Sequence, residues 1–359
     1  MKAAQLEVRK DNLSDTEVVE TEIDGIEDGQ ILCKVDRFAL TANNITYGVV
    51  GEKIGYWQFF PATEGRGVIP VWGFADVVES KHPDVESGER LYGYFPMATH
   101  IVLQPDKVSG QRLLDAMPHR RKLPPVYNSY ARTGGEQYYD PTMDDERMLL
   151  FPLYATSFCL YDYFNDNDYF GASQVIVPSA SSKTAIGLAY ALKSDPDSPA
   201  SVGVTSSGNE SAVSQLGLYD TVCTYDTLTD IDNSVPSVII DMSGNGTVLS
   251  NLHEHLGDNM RFTSNVGLTH LDDNEMGPSF IRERSEMFFA PGHIQKRAAD
   301  WGPGVFEGKA MKFWHDAATK SRSWLAFDQY SGMDALEDVY QQLLAGRVSP
   351  DRGVIVSMA

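Results

Sequence analysis

Residues 178–187 (PSASSKTAIG) have the residue types of a phosphate-binding turn. The turn follows the β-branched run 174–178 and opens a helical pattern at 183–193. A dinucleotide pyrophosphate needs small residues here, because the backbone and the helix N-terminus must approach its charge closely. Small residues replace the three usual glycines: Ala180, Ser182 and Ala185. The turn predicts a dinucleotide site with these contacts: Ser179, Ala180, Ser181, Ser182, Lys183 and Thr184.

The alternative for this turn is a serine-capped helix packed on a sheet without a ligand. The end of the next strand indicates which dinucleotide would fit. NAD-binding proteins usually have Asp or Glu there to hold the ribose hydroxyls. Residues 204–209 (VTSSGN) have no acid before Glu210, and hydroxyl and amide donors suit a 2′-phosphate. The sequence therefore favours NADPH over NADH, with Lys183 as a source of positive charge and these further contacts: Thr205, Ser206, Ser207 and Asn209.

The patterns around this turn predict a parallel sheet. Short apolar runs at 200–206, 220–226, 237–244 and 260–267 alternate with helical segments. Parallel neighbours need crossover helices, so this part is predicted to be a doubly wound α/β sheet. The end of its fifth strand should lie beside the nicotinamide, which adds three predicted contacts: Asn265, Val266 and Gly267.

The flanking parts of the chain have other patterns. Strands are predicted before residue 150 at these positions: 31–40, 67–80, 89–95 and 99–105. The Pro-, Arg- and Tyr-rich segment 112–145 is expected to be an irregular ordered loop or lid. Near the end of the chain, the patterns predict helix, strand, helix and strand, in this order: 305–321, 325–329, 333–346 and 353–358.

The order of these parts resembles the medium-chain dehydrogenase/reductase superfamily, in particular its zinc-free quinone oxidoreductase-like members. Residues 38–48 (FALTANNITYG) look like that group's segment with an active-site Asn, which would be Asn43. Residues 88–94 (GERLYGY) look like its Gly-Asp-Arg-Val turn, and 332–358 resemble its helix-then-strand terminus. The segment TVCTYD places Tyr225 where the group often has a tyrosine beside the cofactor. The resemblance covers nearly the whole chain.

The resemblance implies a domain division. A GroES-like, mainly-β domain would cover residues 1–155, with the Tyr- and Pro-rich insert at about 112–145. A Rossmann-like NADP-binding domain would cover 156–290, and 291–359 would return to complete the first domain. It also implies a homodimer formed through the edge of the Rossmann sheet.

Zinc-dependent members of that superfamily carry a Cys-containing segment and a Gly-His-Glu motif. Residues 41–47 contain no Cys, and Gly-His-Glu does not occur in this sequence. The three cysteines are far apart and form no CxxC pair: Cys33, Cys159 and Cys223. Neither a catalytic nor a structural metal is therefore expected.

Hydride transfer without a metal needs donors that stabilise negative charge on the substrate oxygen. Tyrosine hydroxyls and asparagine amides suit this role, and the candidates are Asn43, Tyr47, Tyr127, Asn128 and Tyr130. A packed ring with a satisfied hydroxyl is the alternative for each tyrosine. The predicted function is NADPH-dependent reduction of a quinone, an enone or a related activated carbonyl. Two alternatives remain open: carbonyl reduction of a bulky substrate, and a non-catalytic NADPH-binding or structural protein.

Composition limits the partners of this 359-residue chain, which has 29 basic and 50 acidic residues and a net charge of −21. Such a surface repels nucleic acid and anionic lipid, so a small-molecule substrate is expected instead. No apolar run approaches the ~20 residues that a membrane span requires. The N-terminus turns polar at once and lacks the apolar core of a signal peptide, so a cytoplasmic location is expected.

Overall fold

The computed structural model describes residues 1–267, 276–288 and 290–358. Within these ranges the strands β1 to β18 are, in order, Lys2–Arg9, Asn12–Glu22, Ile31–Leu40, Arg66–Gly67, Pro70–Ser80, Arg90–Pro96, His100–Leu103, Pro105–Asp106, Arg112–Asp115, Ser129–Arg132, Gln174–Pro178, Ala200–Thr205, Thr221–Thr224, Ser237–Asp241, Met260–Asn265, Ser285–Met287, Ala326–Ser331 and Arg352–Ser357. The helices α1 to α10 are, in order, Ala42–Val49, Gly51–Ile54, Pro125–Asn128, Asp144–Asp166, Lys183–Ser194, Glu210–Gln215, Gly246–Leu256, Ala290–Trp301, Val305–Ser321 and Gly332–Leu344. None of the helices in this described part is long and apolar enough to cross a membrane.

The chain divides into two compact units. Unit 1 contains the residues up to Leu149 and those from Leu325 onward, and unit 2 runs from Leu150 to Trp324. The sequence-based boundaries lie at 155/156 and 290/291. Unit 2 extends beyond residue 290 because α8 and α9 pack within it, where Phe306 and Ala310 form a buried cluster with Cys159.

Unit 1 is mainly β, as predicted. In the described residues, β2, β1 and β4 form one antiparallel sheet, and a larger sheet has the order β17-β18-β3-β5-β6-β10-β9-β8, with β7 also paired to β3. Alternation along β3 buries Ile31, Cys33 and Val35 in the core of this unit, because successive strand residues face opposite sides of a sheet. The prediction of an irregular loop at 112–145 is wrong in part, since β9 and β10 pair within it and β10 also pairs with β6. These strands have only four residues each, too few to give a recognisable alternation.

Helix α1 follows β3 directly and holds two of the predicted catalytic residues. The Thr41 N–H donates to Asn44 Oδ1 at 2.7 Å, and Asn44 Nδ2 donates to the Pro70 carbonyl at 2.8 Å. These bonds fix the start of the helix against β5. Asn43 and Tyr47 are four residues apart, so they lie on the same face of α1.

Unit 2 contains a doubly wound parallel sheet, as predicted. Its six described strands have the order β13-β12-β11-β14-β15-β16, and each neighbouring pair is parallel. Strands β11 and β14 are buried along their whole length, which accounts for their continuous apolar sequences. Strands β12 and β13 are added on one side of β11, and β14, β15 and β16 are then added on its other side, so the strand order reverses between β11 and β14. Open parallel sheets bind ligands at the carboxyl ends of the strands at such a reversal.

Candidate functional site

The first candidate site lies at the carboxyl ends of the strands of unit 2. The predicted cofactor contacts all follow strands of this sheet: Ser179 to Thr184 follow β11, Thr205 to Asn209 end or follow β12, Tyr225 follows β13, and Asn265 to Gly267 end or follow β15. The fold therefore gathers residues that are up to 88 positions apart in the chain at one edge of the sheet.

The turn after β11 is held in a strained conformation by its neighbours. Ser179 has φ +59°, the left-handed region that L-residues rarely adopt. Its N–H donates to the Tyr225 hydroxyl at 3.1 Å, and the Ala180 N–H donates to the Val204 carbonyl at 2.9 Å. The Tyr219 hydroxyl is 3.3 Å from the carbonyl of Ala180 and donates to that of Ala185 at 3.1 Å.

A glycine in the neighbouring strand, rather than one in the turn itself, leaves the room that this turn needs. A Cβ atom built on Gly203 in β12 would lie 3.1 Å from the Ala180 Cβ and 2.8 Å from the Tyr219 ring. Ala180 itself is fully buried. An alanine fits in the turn because residue 203 has no side chain.

Hydroxyl and amide groups connect the turn to the end of β12. The Asn209 side chain donates to Ser181 Oγ at 3.2 Å, and Thr205 Oγ1 lies 3.5 Å from the same atom. Ser182 caps α5 by accepting the Ala185 N–H at 3.3 Å. Residues 204–209 contain no carboxylate, so this edge presents neutral donors to an anion.

The ends of β14 and β15 are joined through Asp241, which sequence reasoning missed. Its buried carboxylate accepts the Ser243 N–H at 2.9 Å, the Ser243 hydroxyl at 2.6 Å and the Gly244 N–H at 2.8 Å. Burial nevertheless raises the pKa of this carboxyl. Its main-chain carbonyl accepts the N–H groups of Val266 at 2.9 Å and Gly267 at 3.1 Å. Gly267 must be a glycine, because a Cβ there would lie 2.0 Å from the Met242 carbonyl oxygen.

A separate cavity of about 280 Å³ lies beside β15 and β16. Its lining is Tyr163, Phe262, Ser264, Glu286, Met287, Phe288, Gly292, His293 and Lys296. None of the predicted contact residues is in this set. His293 forms a hydrogen bond with Asp162 at 2.6 Å, and Arg297 donates to the same carboxylate at 2.5 Å. These bonds use the Nε2 atom of His293 to fix α8 on α4.

The second candidate site lies in unit 1 and consists of tyrosines around Asn43. Asn43 Nδ2 donates to the Tyr47 hydroxyl at 2.8 Å, and the hydroxyls of Tyr56 and Tyr127 are 2.8 Å apart. The Tyr47 ring lies 4.6 Å from that of Tyr56 and 5.6 Å from that of Tyr94, centroid to centroid. We call Tyr47, Tyr56, Tyr94, Tyr127 and Trp72 the aromatic cluster. Three predicted residues, Asn43, Tyr47 and Tyr127, thus come together.

Asn128 and Tyr130 lie apart from these three, around the buried guanidinium of Arg120. Arg120 Nε donates to Asn128 Oδ1 at 2.7 Å, and Arg120 Nη1 donates to the Tyr130 hydroxyl at 3.0 Å. The Tyr130 hydroxyl donates in turn to the Tyr94 carbonyl at 2.7 Å. Arg120 also forms an ion pair with Asp115 at 3.4 Å and donates to the Tyr127 carbonyl at 2.8 Å. This placement favours a supporting role for Asn128 and Tyr130.

The phenols of the aromatic cluster are neutral donors near pH 7. Burial raises the pKa of Tyr47 and of Tyr56, and it raises the pKa of Tyr94 and Tyr127 well above the usual value. Each hydroxyl therefore keeps its proton at neutral pH and can donate a hydrogen bond.

Comparison with known proteins places the chain in a family. Residues 38–349 match the family described as protein of unknown function (DUF2855). The chain belongs to that family. No curated protein matches the sequence.

Solved structures show which fold this DUF2855 chain has. CurA from Vibrio vulnificus is similar with a TM-score of 0.64 and 11% identity, over 99% of both chains. A mutant enoyl thioester reductase from Candida tropicalis gives 0.59 and 12%, and the quinone oxidoreductase from Coxiella burnetii gives 0.58 and 14%, each over 100% of both chains. The chain therefore shares its fold with these three proteins, and the predicted fold class is confirmed.

Several residues of the two sites were not predicted. Tyr56, Trp72, Tyr94 and Arg120 surround the predicted tyrosines, and Asp241 joins two strand ends. Asp241 carried a signal, since a single acid ends the buried run SVIID. In the part of the chain that the structure describes, no group of three or more His, Cys, Asp or Glu side chains could hold a metal ion.

Proposed function

We propose that this DUF2855 protein is a zinc-independent, NADPH-dependent oxidoreductase that reduces a quinone, an enone or a related activated carbonyl. The observation that carries this proposal is the strand-order reversal at β11 and β14, lined by hydroxyl and amide groups and free of carboxylates between 204 and 209. The solved structure of CurA in complex with NADPH, similar with a TM-score of 0.61, supports the choice of cofactor.

The residues at this edge fit an NADP dinucleotide. Ser179 to Thr184 would hold the pyrophosphate at the start of α5, where the helix dipole favours negative charge. Ser181, Thr205 and Asn209 would contact the 2′-phosphate, and the half-buried Lys183 would add positive charge. Asn265 to Gly267 would border the nicotinamide, and Tyr225 would support the turn from β13. When bound, NADPH supplies a hydride.

For the substrate, we propose that Asn43 and Tyr47 provide hydrogen bonds to the oxygen that becomes negative. Because Asn43 donates to the Tyr47 oxygen, the Tyr47 proton is directed to another acceptor. A neutral phenol whose pKa burial raises can donate to an anionic oxygen and remain protonated in the resting protein. Tyr127, bonded to Tyr56, is the third proposed donor, and Asn128 and Tyr130 would hold Tyr127 through Arg120.

The test of the cofactor site is a titration with NADPH and with NADH, followed by nicotinamide fluorescence. Asn209→Asp places a carboxylate where we expect the 2′-phosphate, so NADPH binding should weaken about tenfold or more while NADH binding changes little. Gln215→Glu, at the last residue of helix α6, which Asn209 directly precedes, makes the same charge change and is the matched control. If wild-type protein binds neither nucleotide, the proposal is wrong.

Turnover separates the proposed enzyme from its non-catalytic alternative. Stoichiometric NADPH binding without oxidation of NADPH by any quinone, enone or bulky carbonyl compound would favour a non-catalytic protein that keeps the fold. We further propose a homodimer through β16, which is an edge strand of its sheet and carries Met287 with 65% of its surface exposed. Light scattering would show a monomer if this is wrong.

A further inference from the structure

Two neighbouring aromatic side chains of unit 1 each carry a buried hydrogen-bond donor without a partner. Among the residues that the structure describes, the Tyr94 hydroxyl and the Trp72 indole N–H make no hydrogen bond. The Tyr94 side chain is fully buried. Leaving a buried polar group unsatisfied costs about 1–3 kcal/mol, so native proteins rarely contain two side by side. A ligand that accepts both hydrogen bonds would remove this cost.

The sheet places these two donors together. Trp72 in β5 and Tyr94 in β6 are directly opposite each other in the antiparallel pairing, and their ring centroids are 5.1 Å apart. Residues directly opposite on neighbouring strands share one face of the sheet. The two donors thus belong to one location.

A third donor, Tyr47, faces the same location. Burial raises the pKa of the Tyr47 phenol, and the donors of Trp72, Asn43 and Tyr94 partly oppose that rise, which indicates that all three approach the Tyr47 oxygen. Only Asn43 reaches hydrogen-bond geometry with it. The Tyr47 ring lies 5.6 Å from that of Tyr94, which lies 5.1 Å from that of Trp72, so the three side chains are direct neighbours.

The surroundings suit a flat ligand with an electron-rich oxygen. The ring of Tyr127 lies 4.8 Å from that of Tyr94 and 6.2 Å from that of Trp72. Burial and the neighbouring phenols raise the pKa of Tyr94 well above its usual value, and the guanidinium of Arg120 opposes this rise only in part, so Tyr94 stays a neutral donor. Aromatic rings prefer offset or edge-on contacts with other rings, so flat conjugated molecules pack well among them.

We propose that Tyr47, Tyr94 and Trp72 form a binding site for the carbonyl oxygen of a planar conjugated acceptor, a quinone in particular. The choice of a quinone rests on the proposed function, whereas the site itself rests on the orphaned donors. Three converging donors would also hold negative charge on that oxygen, because preorganised donors bind a developing oxyanion more strongly than a neutral carbonyl.

The experiment is equilibrium dialysis of the full chain, without nucleotide, against tetramethyl-1,4-benzoquinone, which has no free ring position for thiols to attack. Tyr94→Phe and Trp72→Phe each remove one donor and keep an aromatic ring. We expect each change to raise the Kd about three- to tenfold, because a neutral hydrogen bond contributes roughly 0.5–1.5 kcal/mol. Tyr340→Phe is the matched control, since it removes another buried hydroxyl of unit 1 that donates to the Leu13 carbonyl at 2.9 Å.

Unchanged Kd values in both Tyr94→Phe and Trp72→Phe would overturn the proposal, as would a wild-type protein that does not bind the quinone. A rise in Kd for Tyr340→Phe equal to that for Tyr94→Phe would overturn it as well, because the effect would then not be local. The nucleotide titration is independent of this measurement. A chain that binds NADPH but not the quinone loses only this inference, and one that binds the quinone but no nucleotide loses only the proposed function.

Discussion

Replacing Tyr94 by Phe should make the ligand-free protein more stable. The change deletes only the orphaned hydroxyl and keeps the ring, whose centroid lies 4.8 Å from that of Tyr127, 5.1 Å from Trp72 and 5.3 Å from Phe59. Desolvation of an unsatisfied hydroxyl costs about 1–3 kcal/mol, and its removal returns that cost. We expect the free energy of unfolding to rise by about 1–2 kcal/mol, which corresponds to roughly 2–8 °C in Tm for a unit of this size.

Urea denaturation followed by circular dichroism would measure this change, with Tyr340→Phe as the opposite case. The Tyr340 hydroxyl has a partner, so its loss leaves the Leu13 carbonyl unpaired and should lower the free energy of unfolding by about 1 kcal/mol. A Tyr94→Phe protein that is less stable than wild type by about 0.5 kcal/mol or more, on the roughly 1 kcal/mol scale of one hydrogen bond, would refute the reasoning. The Tyr94 hydroxyl would then be hydrogen-bonded in the ligand-free protein.

Three further changes test other parts of the structure. Lys183→Glu should weaken NADPH binding about tenfold or more by placing an anion at the start of α5, and an unchanged Kd would exclude a phosphate contact there. Gly203→Ala should cost about 1–3 kcal/mol of stability and weaken NADPH binding, because the new Cβ meets Tyr219 at 2.8 Å; urea midpoints that match wild type would contradict this. Burial lowers the pKa of His253 to about 4 from 6.5, so the stability that its neutral form contributes is present above pH 6.5 and is lost as the pH falls toward 4. Between pH 7 and pH 5 that loss should be about 1–2 kcal/mol, and His253→Gln should reduce this part of the pH dependence in urea denaturation.

The parallel sheet could be predicted because its strands are buried on both faces. Gln174–Pro178 agrees with its predicted range, since a short apolar run bounded by turn residues is typical of a strand in the middle of such a sheet. Helix α4 was not predicted, because its apolar residues are spread around the helix and it contains Pro152. A segment without an apolar stripe gives no helical period to detect.

The aromatic cluster could be predicted only in part, because strand register brings it together. Tyr127 could be predicted as a candidate because it lies in the Tyr-rich insert. Trp72 and Tyr94 lie within the predicted strands 67–80 and 89–95, and they are separated by 22 residues in the chain. Their proximity follows from the pairing of β5 with β6, in which a shift of one residue would turn one of them to the other face. Residue types alone do not specify that register.

The glycine-poor turn shows that the three-glycine motif can be absent from a turn that keeps the same close approach between strands. The motif places its glycines in the turn because backbone, ligand and neighbouring strand must all approach closely there. Close approach requires only that one of the two contacting residues lacks a side chain. Here the contact between β11 and β12 keeps that property through Gly203, while Ala180 fills the space from the other side. If so, a double change of Ala180→Gly and Gly203→Ala should recover part of the stability that Gly203→Ala loses, and strictly additive effects in a double-mutant cycle would show that the two positions do not share this space.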